Sequence, residues 1–282
     1  MCTVSWLITD AGYQLFFNRD EQRSRSKALP PQPFQNSDVT TLMPIDPDGG
    51  GSWISVNDQG LTLCLLNFYQ GRLPDGLLHS RGQLLKNLSA LKTQSEITTQ
   101  LNTMDLYQYA PFTLLAFSPD NRSLGFQWDG ETLQALSIRS PMTSSSVEFN
   151  RVYSARQNSF SDLGDAPDAD QLLAYHLSHQ PVHNAHSSTP PSNQHHCVKN
   201  GQLIQGEQSV CMHRDDAKSV SFSHIEVTAE QVSFNYLDGS PCAQQLTGID
   251  ALRKVAHRTA LIRPAYNMHN SICNQERPRV SI

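Results

Sequence analysis

Apolar and polar positions along this chain fall into short runs, most of them too short for a helix and bounded by turn residues. Runs 3–8 and 13–17 flank Asp10-Ala11-Gly12 and predict a β-hairpin. A turn centred on Ala11 pairs residues whose numbers sum to about 22, give or take a one-residue slip, which sets Cys2 opposite Asp20 with Arg19 and Glu21 beside it. Runs 52–56 and 61–67 flank Asn57-Asp58-Gln59-Gly60 and predict a second hairpin. The run 61–67, LTLCLLN, is apolar at nearly every position, so it reads as a strand buried on both faces, ending in Asn67. Runs 112–117, 124–128 and 132–138, joined through Asp120-Asn121 and Asp129-Gly130, predict a meander. Residues 219–227 alternate: Val220, Phe222, His224 and Glu226 share one face, Ser221, Ser223, Ile225 and Val227 the other. With 231–236 they predict a further antiparallel ladder.

Helical spacing is clearest over 80–93, where Ser80 is placed to cap and Leu84, Leu88 and Leu91 share a face. Shorter helices are predicted at 95–101, 147–157 and 168–179 (inner residues Leu172, Leu173 and Leu177), and 249–257 is a further short helix candidate in the weakly patterned tail. Residues 22–51, with PPQP at 30–33, read as a long surface loop, and PMTSSS at 141–146 as a polar turn. Residues 180–196, dense in Pro, Ser, Asn and His, read as a mobile loop, and 243–282 as a weakly patterned tail. With roughly eight strands, about four helices and no internal repeat, the pattern predicts one α+β domain over 1–282, its helices laid on antiparallel sheets.

Composition narrows the function. A chain of 282 residues buries a core without disulfide staples, although only 38% of its residues are hydrophobic and 17% charged. A net charge of −5 argues against nucleic acid as partner, because phosphate binding needs a basic face. The run 3–8 is too short for a secretory h-region, and no apolar run approaches ~18 residues, so a cytoplasmic protein without a membrane span is expected. The six cysteines are then expected to be reduced.

Cys2 is the sharpest chemical feature. Methionine is trimmed before small residues, which would leave Cys2 at the N-terminus. Its α-amine, with a reference pKa of ~7.7–8.0, would serve as base to its own thiol. Arg19 would lower the thiol pKa, and Asp20 or Glu21 would hold the ammonium form. The bland alternative is a cysteine second by accident. Elsewhere, His195-His196-Cys197 and Cys211-Met212-His213 offer soft donors for a metal or haem. Their spacing matches no tight zinc pattern, and Cys211 and His213 read as half-buried strand positions, so no metal site is expected. Gly49-Gly50-Gly51 reads as a loop that lets backbone approach the Cys2 hairpin, with no helix N-terminus following it to hold an anion. Arg81 reads as a surface residue at a helix cap.

Asn18-Arg19-Asp20-Glu21 after Met1-Cys2, with GGGSWISVNDQGLTLCLLN at 49–67, resembles the signature of the NRDE family, the transport-and-Golgi-organisation type. SRGQLL at 80–85, residues 109–117 and Arg214 before its alternating strand are weaker matches; the resemblance spans roughly 1–157 and 208–240. That family is in turn similar to N-terminal-nucleophile cysteine hydrolases of linear amides, the penicillin V acylase and bile-salt hydrolase group. The resemblance implies a four-layer αββα sandwich, with Cys2 as nucleophile, Arg19, Asp20 and Glu21 as supporting charges and Asn67 as oxyanion donor. It implies Asn18, Trp53, Ser144 and Arg214 as substrate-facing residues. Two departures stand out: an asparagine of the hydrolases falls where residues 143–146 carry only hydroxyls, and Arg19 and Asp20 are adjacent. The implied partners are a small amide, an acyl group or haem, the last as a trafficked ligand rather than a cofactor.

Overall fold

The computed structural model describes residues 1–120, 122–179 and 206–264, with the backbone of 198–199 and 202–203. The whole of the 180–196 loop, the His195-His196-Cys197 run and the end of the tail, 265–282, lie outside the described residues.

Strands β1 (Cys2–Thr9) and β2 (Gly12–Gln22) form the expected hairpin, and β1 also pairs with β10 (Met142–Ser144). On the other side β2 meets β13 (Ala217–Thr228), followed by β14 (Gln231–Asp238) and β15 (His257–Ile262), giving a six-stranded antiparallel sheet in the order β10-β1-β2-β13-β14-β15. A second sheet runs in chain order: β3 (Leu29–Asn36), β4 (Val39–Ile45), β5 (Ile54–Asn57), β6 (Thr62–Asn67), β7 (Phe112–Phe117), β8 (Ser123–Trp128) and β9 (Leu133–Leu136). Two-residue strands β11 (Val198–Lys199) and β12 (Gln202–Leu203) form a separate two-stranded sheet.

Three apolar layers follow from period-two alternation along these strands. Val4, Tyr13, Leu15 and Phe17 meet Leu42, Ile54, Cys64 and Leu66 between the sheets. Leu63, Leu65 and Phe112 point the other way, onto Leu84, Leu85 and Leu88 of α1 (Arg81–Leu88) and Ile97 and Leu101 of α2 (Gln94–Thr103). Phe16 and Phe222 face away from the sheet interface, onto Leu172 and Leu173 of α4 (Ala169–Leu177) and Ile249 and Leu252 of α5 (Ile249–Val255). With α3 (Phe149–Ser161), which sends Arg156 down beneath β1, this is the four-layer αββα sandwich that the family resemblance implied. Among the described residues, no helix is long and apolar enough to cross a membrane.

Four expectations need correction. Residues 22–51 are not one loop: they contain the β3–β4 hairpin, at the edge of the seven-stranded sheet. Pro30, Pro31 and Pro33 excluded a helix, but a free edge tolerates strand residues that cannot donate a hydrogen bond. The turn at 141–146 contains β10, a three-residue edge strand too short to show a period. The tail contains β15, whose exposed outer face hides its alternation. Finally, the hairpin register sums to 21 rather than 22, so Cys2 lies opposite Arg19 and not Asp20. A one-residue slip sends every side chain to the other face.

Candidate functional site at the head of the β1–β2 hairpin

The register decides which side chains share a site. Cys2, Arg19 and Glu21 point between the sheets, whereas Thr3, Asn18 and Asp20 point under the helices. On the first side lies a cavity of about 250 Å³, at the end of the inter-sheet layer, where the start of β1, the end of β2, the end of β6 and the N-terminus of α1 converge. Cys2, Arg19, Glu21, Trp53 and Asn67 all line it.

Cys2 is partly buried there. Its backbone N–H donates to Ser144 Oγ at 3.0 Å, from the neighbouring strand β10. Met1 also lines the cavity: its ammonium donates to the Asp20 carbonyl at 3.1 Å, and its carbonyl accepts from the Asp20 N–H at 2.8 Å. Burial pushes the Cys2 thiol pKa up. The Met1 ammonium, the Asp20 amide and Arg19 pull it down without cancelling that rise.

Arg19 is held in place from three directions. Its guanidinium lies 4.1 Å from the centre of the Trp53 ring, 3.4 Å from Glu21 Oε2 and 3.6 Å from Asp46 Oδ2. Asp46 also pairs with Arg25, which reaches Glu21 as well. Asn67, at the end of β6, donates from Nδ2 to Tyr69 Oη at 2.9 Å. Arg81, expected to be a surface residue, lines the cavity instead and donates to Pro111 O at 2.8 Å. Among the described residues no carboxylate pairs with it. The glycine loop also differs from expectation, because it packs on a helix N-terminus after all. A Cβ on Gly51 would sit 2.1 Å from the Gly82 carbonyl carbon, and Ser52 N–H donates to Gly82 O at 3.1 Å.

Four predicted residues do not face this cavity with their side chains. The Asp20 carboxylate has no exposed surface; Ser219 Oγ donates to it at 2.6 Å and Arg156 Nη2 lies 3.5 Å away. Burial raises its pKa and Arg156 opposes the rise. Asn18 Nδ2 donates to His176 O and Val210 O, both at 2.9 Å, so it ties α4 to the chain before β13. Arg214 is half-buried away from the cavity and pairs with the exposed Asp216. Ser144 pairs with Cys2 across β1 and β10 and its Oγ accepts from the Cys2 backbone N–H, outside the cavity lining. Residues 46, 25 and 81 were missed; RGQLL in the family pattern was a signal for Arg81, while Arg25 and Asp46 lay in the stretch read as loop.

A four-layer αββα sandwich with a cysteine at position 2 facing a cleft between its sheets is the class of protein that this geometry defines. The family described as Transport and Golgi organisation 2 matches residues 1–199, and the chain belongs to that family. The chain is similar in structure to the C2A mutant of conjugated bile acid hydrolase from Clostridium perfringens, at 12% identity over 84% of this chain and 92% of that one, with a TM-score of 0.48. Penicillin V acylase from Agrobacterium tumefaciens gives 10% identity over 93% and 91%, with a TM-score of 0.47. The N-acylethanolamine-hydrolyzing acid amidase ortholog of Caenorhabditis elegans gives 9% over 94% and 100%, with a TM-score of 0.46. No curated protein sequence matches the chain.

Proposed function

We propose that this chain is an N-terminal-cysteine hydrolase of a small linear, non-peptide amide. The observation that carries the reading is the position of Cys2: its thiol lines a polar cavity with Arg19 and Asn67, and its backbone nitrogen is held by Ser144. Loss of Met1 would turn that nitrogen into an α-amine, with Ser144 orienting it as base. The thiol proton passes to the amine while sulfur bonds to the amide carbon. The amine leaving group then departs with that proton, and water cleaves the thioester to the acid. Loss of Met1 would also free the Asp20 N–H that its carbonyl now occupies, giving Asn67 a backbone partner for the oxyanion. Arg81, without a carboxylate partner among the described residues, suits an anionic group on the ligand. At about 250 Å³ the cavity falls below the ~300–1,000 Å³ usual for drug-sized ligands, which favours a small amide over a whole haem.

A second reading keeps the pocket without turnover, as a carrier of an acyl or haem ligand. It is favoured by the hydroxyl of Ser144 where the hydrolases have an asparagine, and by the raised Cys2 thiol pKa. Intact mass separates the two, combined with turnover of a panel of linear amides that includes penicillin V and a conjugated bile acid. Hydrolysis requires a chain lacking Met1 and activity lost in Cys2→Ala. A chain that retains Met1 and is inert to the whole panel sinks that reading. Haem or acyl-ligand binding unchanged in Cys2→Ala would then support the carrier.

A further inference from the structure

Four soft donors meet on the far side of β2 from the cavity. One ligand atom each from His179, Cys211, His213 and Cys242 lies within 4.8 Å of every other. His213 Nε2 is 3.2 Å from Cys242 Sγ and 3.6 Å from Cys211 Sγ, and the rings of His179 and His213 stand 5.3 Å apart. Cys211 is fully buried, and His179 Nε2 is buried with no hydrogen-bond partner among the described residues. None of the four lines the Cys2 cavity.

The frame beneath these donors is built independently of them. His179 follows α4, Cys211 and His213 precede β13, and Cys242 sits in the 3-10 turn Pro241–Gln244 after β14. Cys211 N–H donates to Ser178 O at 3.0 Å, and Ser209 Oγ donates to His179 O at 3.2 Å. Asn18 clamps Val210 O to His176 O, and Ser240 Oγ donates to Ser219 O at 2.7 Å. All three segments are therefore positioned by hydrogen bonds that use none of the four ligand side chains.

Tetrahedral zinc holds sulfur at ≈ 2.3 Å and nitrogen at ≈ 2.0–2.1 Å, which puts its ligand atoms about 3.3–3.8 Å from one another. The sulfur–nitrogen separations of 3.2 and 3.6 Å are close to those edges. Two thiols and two imidazoles select zinc over hard cations, and four protein ligands leave no open position for a substrate. We propose that His179, Cys211, His213 and Cys242 form a structural zinc site that ties the end of α4 to the entry of β13 and the exit of β14. It joins residues 179 and 211, far apart in the chain, where loop-closure entropy makes a cross-link most effective. Asn18 and Asp20 of the NRDE block, which face away from the Cys2 cavity, then brace this side of the fold: Asp20 accepts from Ser219 Oγ, which in turn accepts from Met212 N–H, between two of the ligands.

The test uses the full chain, purified without chelator and analysed for metals. One zinc per chain is expected. Replacement by Co²⁺ should give tetrahedral ligand-field bands and thiolate-to-metal charge transfer in the near ultraviolet. Zinc content should fall to near zero in Cys242→Ser and His213→Ala, and stay at one per chain when His195→Ala, His196→Ala and Cys197→Ser are combined. Because the ligand variants could fail to fold, the wild type carries a second readout: chelation should make Cys211 and Cys242 reactive to alkylation, as mapped on peptides. The proposal is overturned if the wild type holds no zinc after dialysis against it. A Co²⁺ spectrum without thiolate bands, zinc lost only from the His195/His196/Cys197 variant, or a Cys211–Cys242 disulfide in the protein as isolated would also overturn it.

Discussion

Two arginines on opposite faces of the six-stranded sheet set the local electrostatics, and each supports a distinct prediction. Arg19, stacked on Trp53 and shared by Glu21 and Asp46, lowers the pKa of a Cys2 thiol that burial raises. Arg19→Met should therefore raise that pKa and slow alkylation of Cys2 by iodoacetamide at neutral pH several-fold, with the pH–rate profile displaced upward. An unchanged profile would mean that Arg19 only packs. Arg156 lies wholly buried against Asp20, Thr3 and Thr143, and donates to the carbonyls of Glu207 and Ser209. Arg156→Met leaves a buried carboxylate without its cation, and urea unfolding should show a loss of about 3–5 kcal/mol. Pairing it with Asp20→Asn should recover a large part of the loss, and strict additivity in that cycle would argue against coupling between the two.

At the scale of elements, the cavity depends on how closely the glycine loop approaches α1. The Gly51 backbone touches the Gly82 backbone, and Gln83 Nε2 donates to Gly49 O, so the loop and helix N-terminus form one wall. Gly51→Ala places a methyl into a peptide group that has no flexible end to give way, and should cost about 1–3 kcal/mol in unfolding free energy. Gly206→Ala is the control, since a Cβ there meets nothing within 4 Å and its φ lies outside the left-handed region. A Gly51→Ala protein as stable as wild type would show that α1 can back away from the loop. The β1–β2 register makes a related point: β2 carries Arg19 and Glu21 to the cavity and Asn18 and Asp20 to the helices, so one four-residue motif serves both faces.

For the whole molecule, two buried histidines tie stability to pH. Burial pushes His176 and His224 down to about 3, with Arg156 adding to the effect at His176 and Arg253 at His224. Both rings are hydrogen-bonded, to Ser5 and Asn18 and to Gln14 and Asn235. Below pH ~6.5 the unfolded chain takes up protons at these sites and the folded chain does not, so stability is full above that pH and falls as pH drops towards 3. Each histidine should remove about 2 kcal/mol between pH 7 and pH 5. Asp20, whose pKa is raised, works in the opposite sense in the acid range. Melting temperatures over that window should fall steeply in the wild type and less so in His224→Asn; equal slopes would show that His224 ionises freely in the fold. By itself the sequence determined the β1–β2, β5–β6 and β7–β9 elements, because local alternation and turn residues carry them. It also determined the family, and it singled out Cys2, Arg19, Glu21 and Asn67, from two short blocks at strand ends, which line one cavity. Only the tertiary structure decided that Asp20 and Asn18 turn away from Cys2, because a single-residue slip in register lies below what a hairpin pattern resolves. Only the tertiary structure gathered Arg81, Asp46 and Arg25 around the cavity, and His179, Cys211, His213 and Cys242 into one cluster. Those groups come from segments far apart in sequence, and proximity set by sheet pairing and helix docking leaves no periodic trace in the chain.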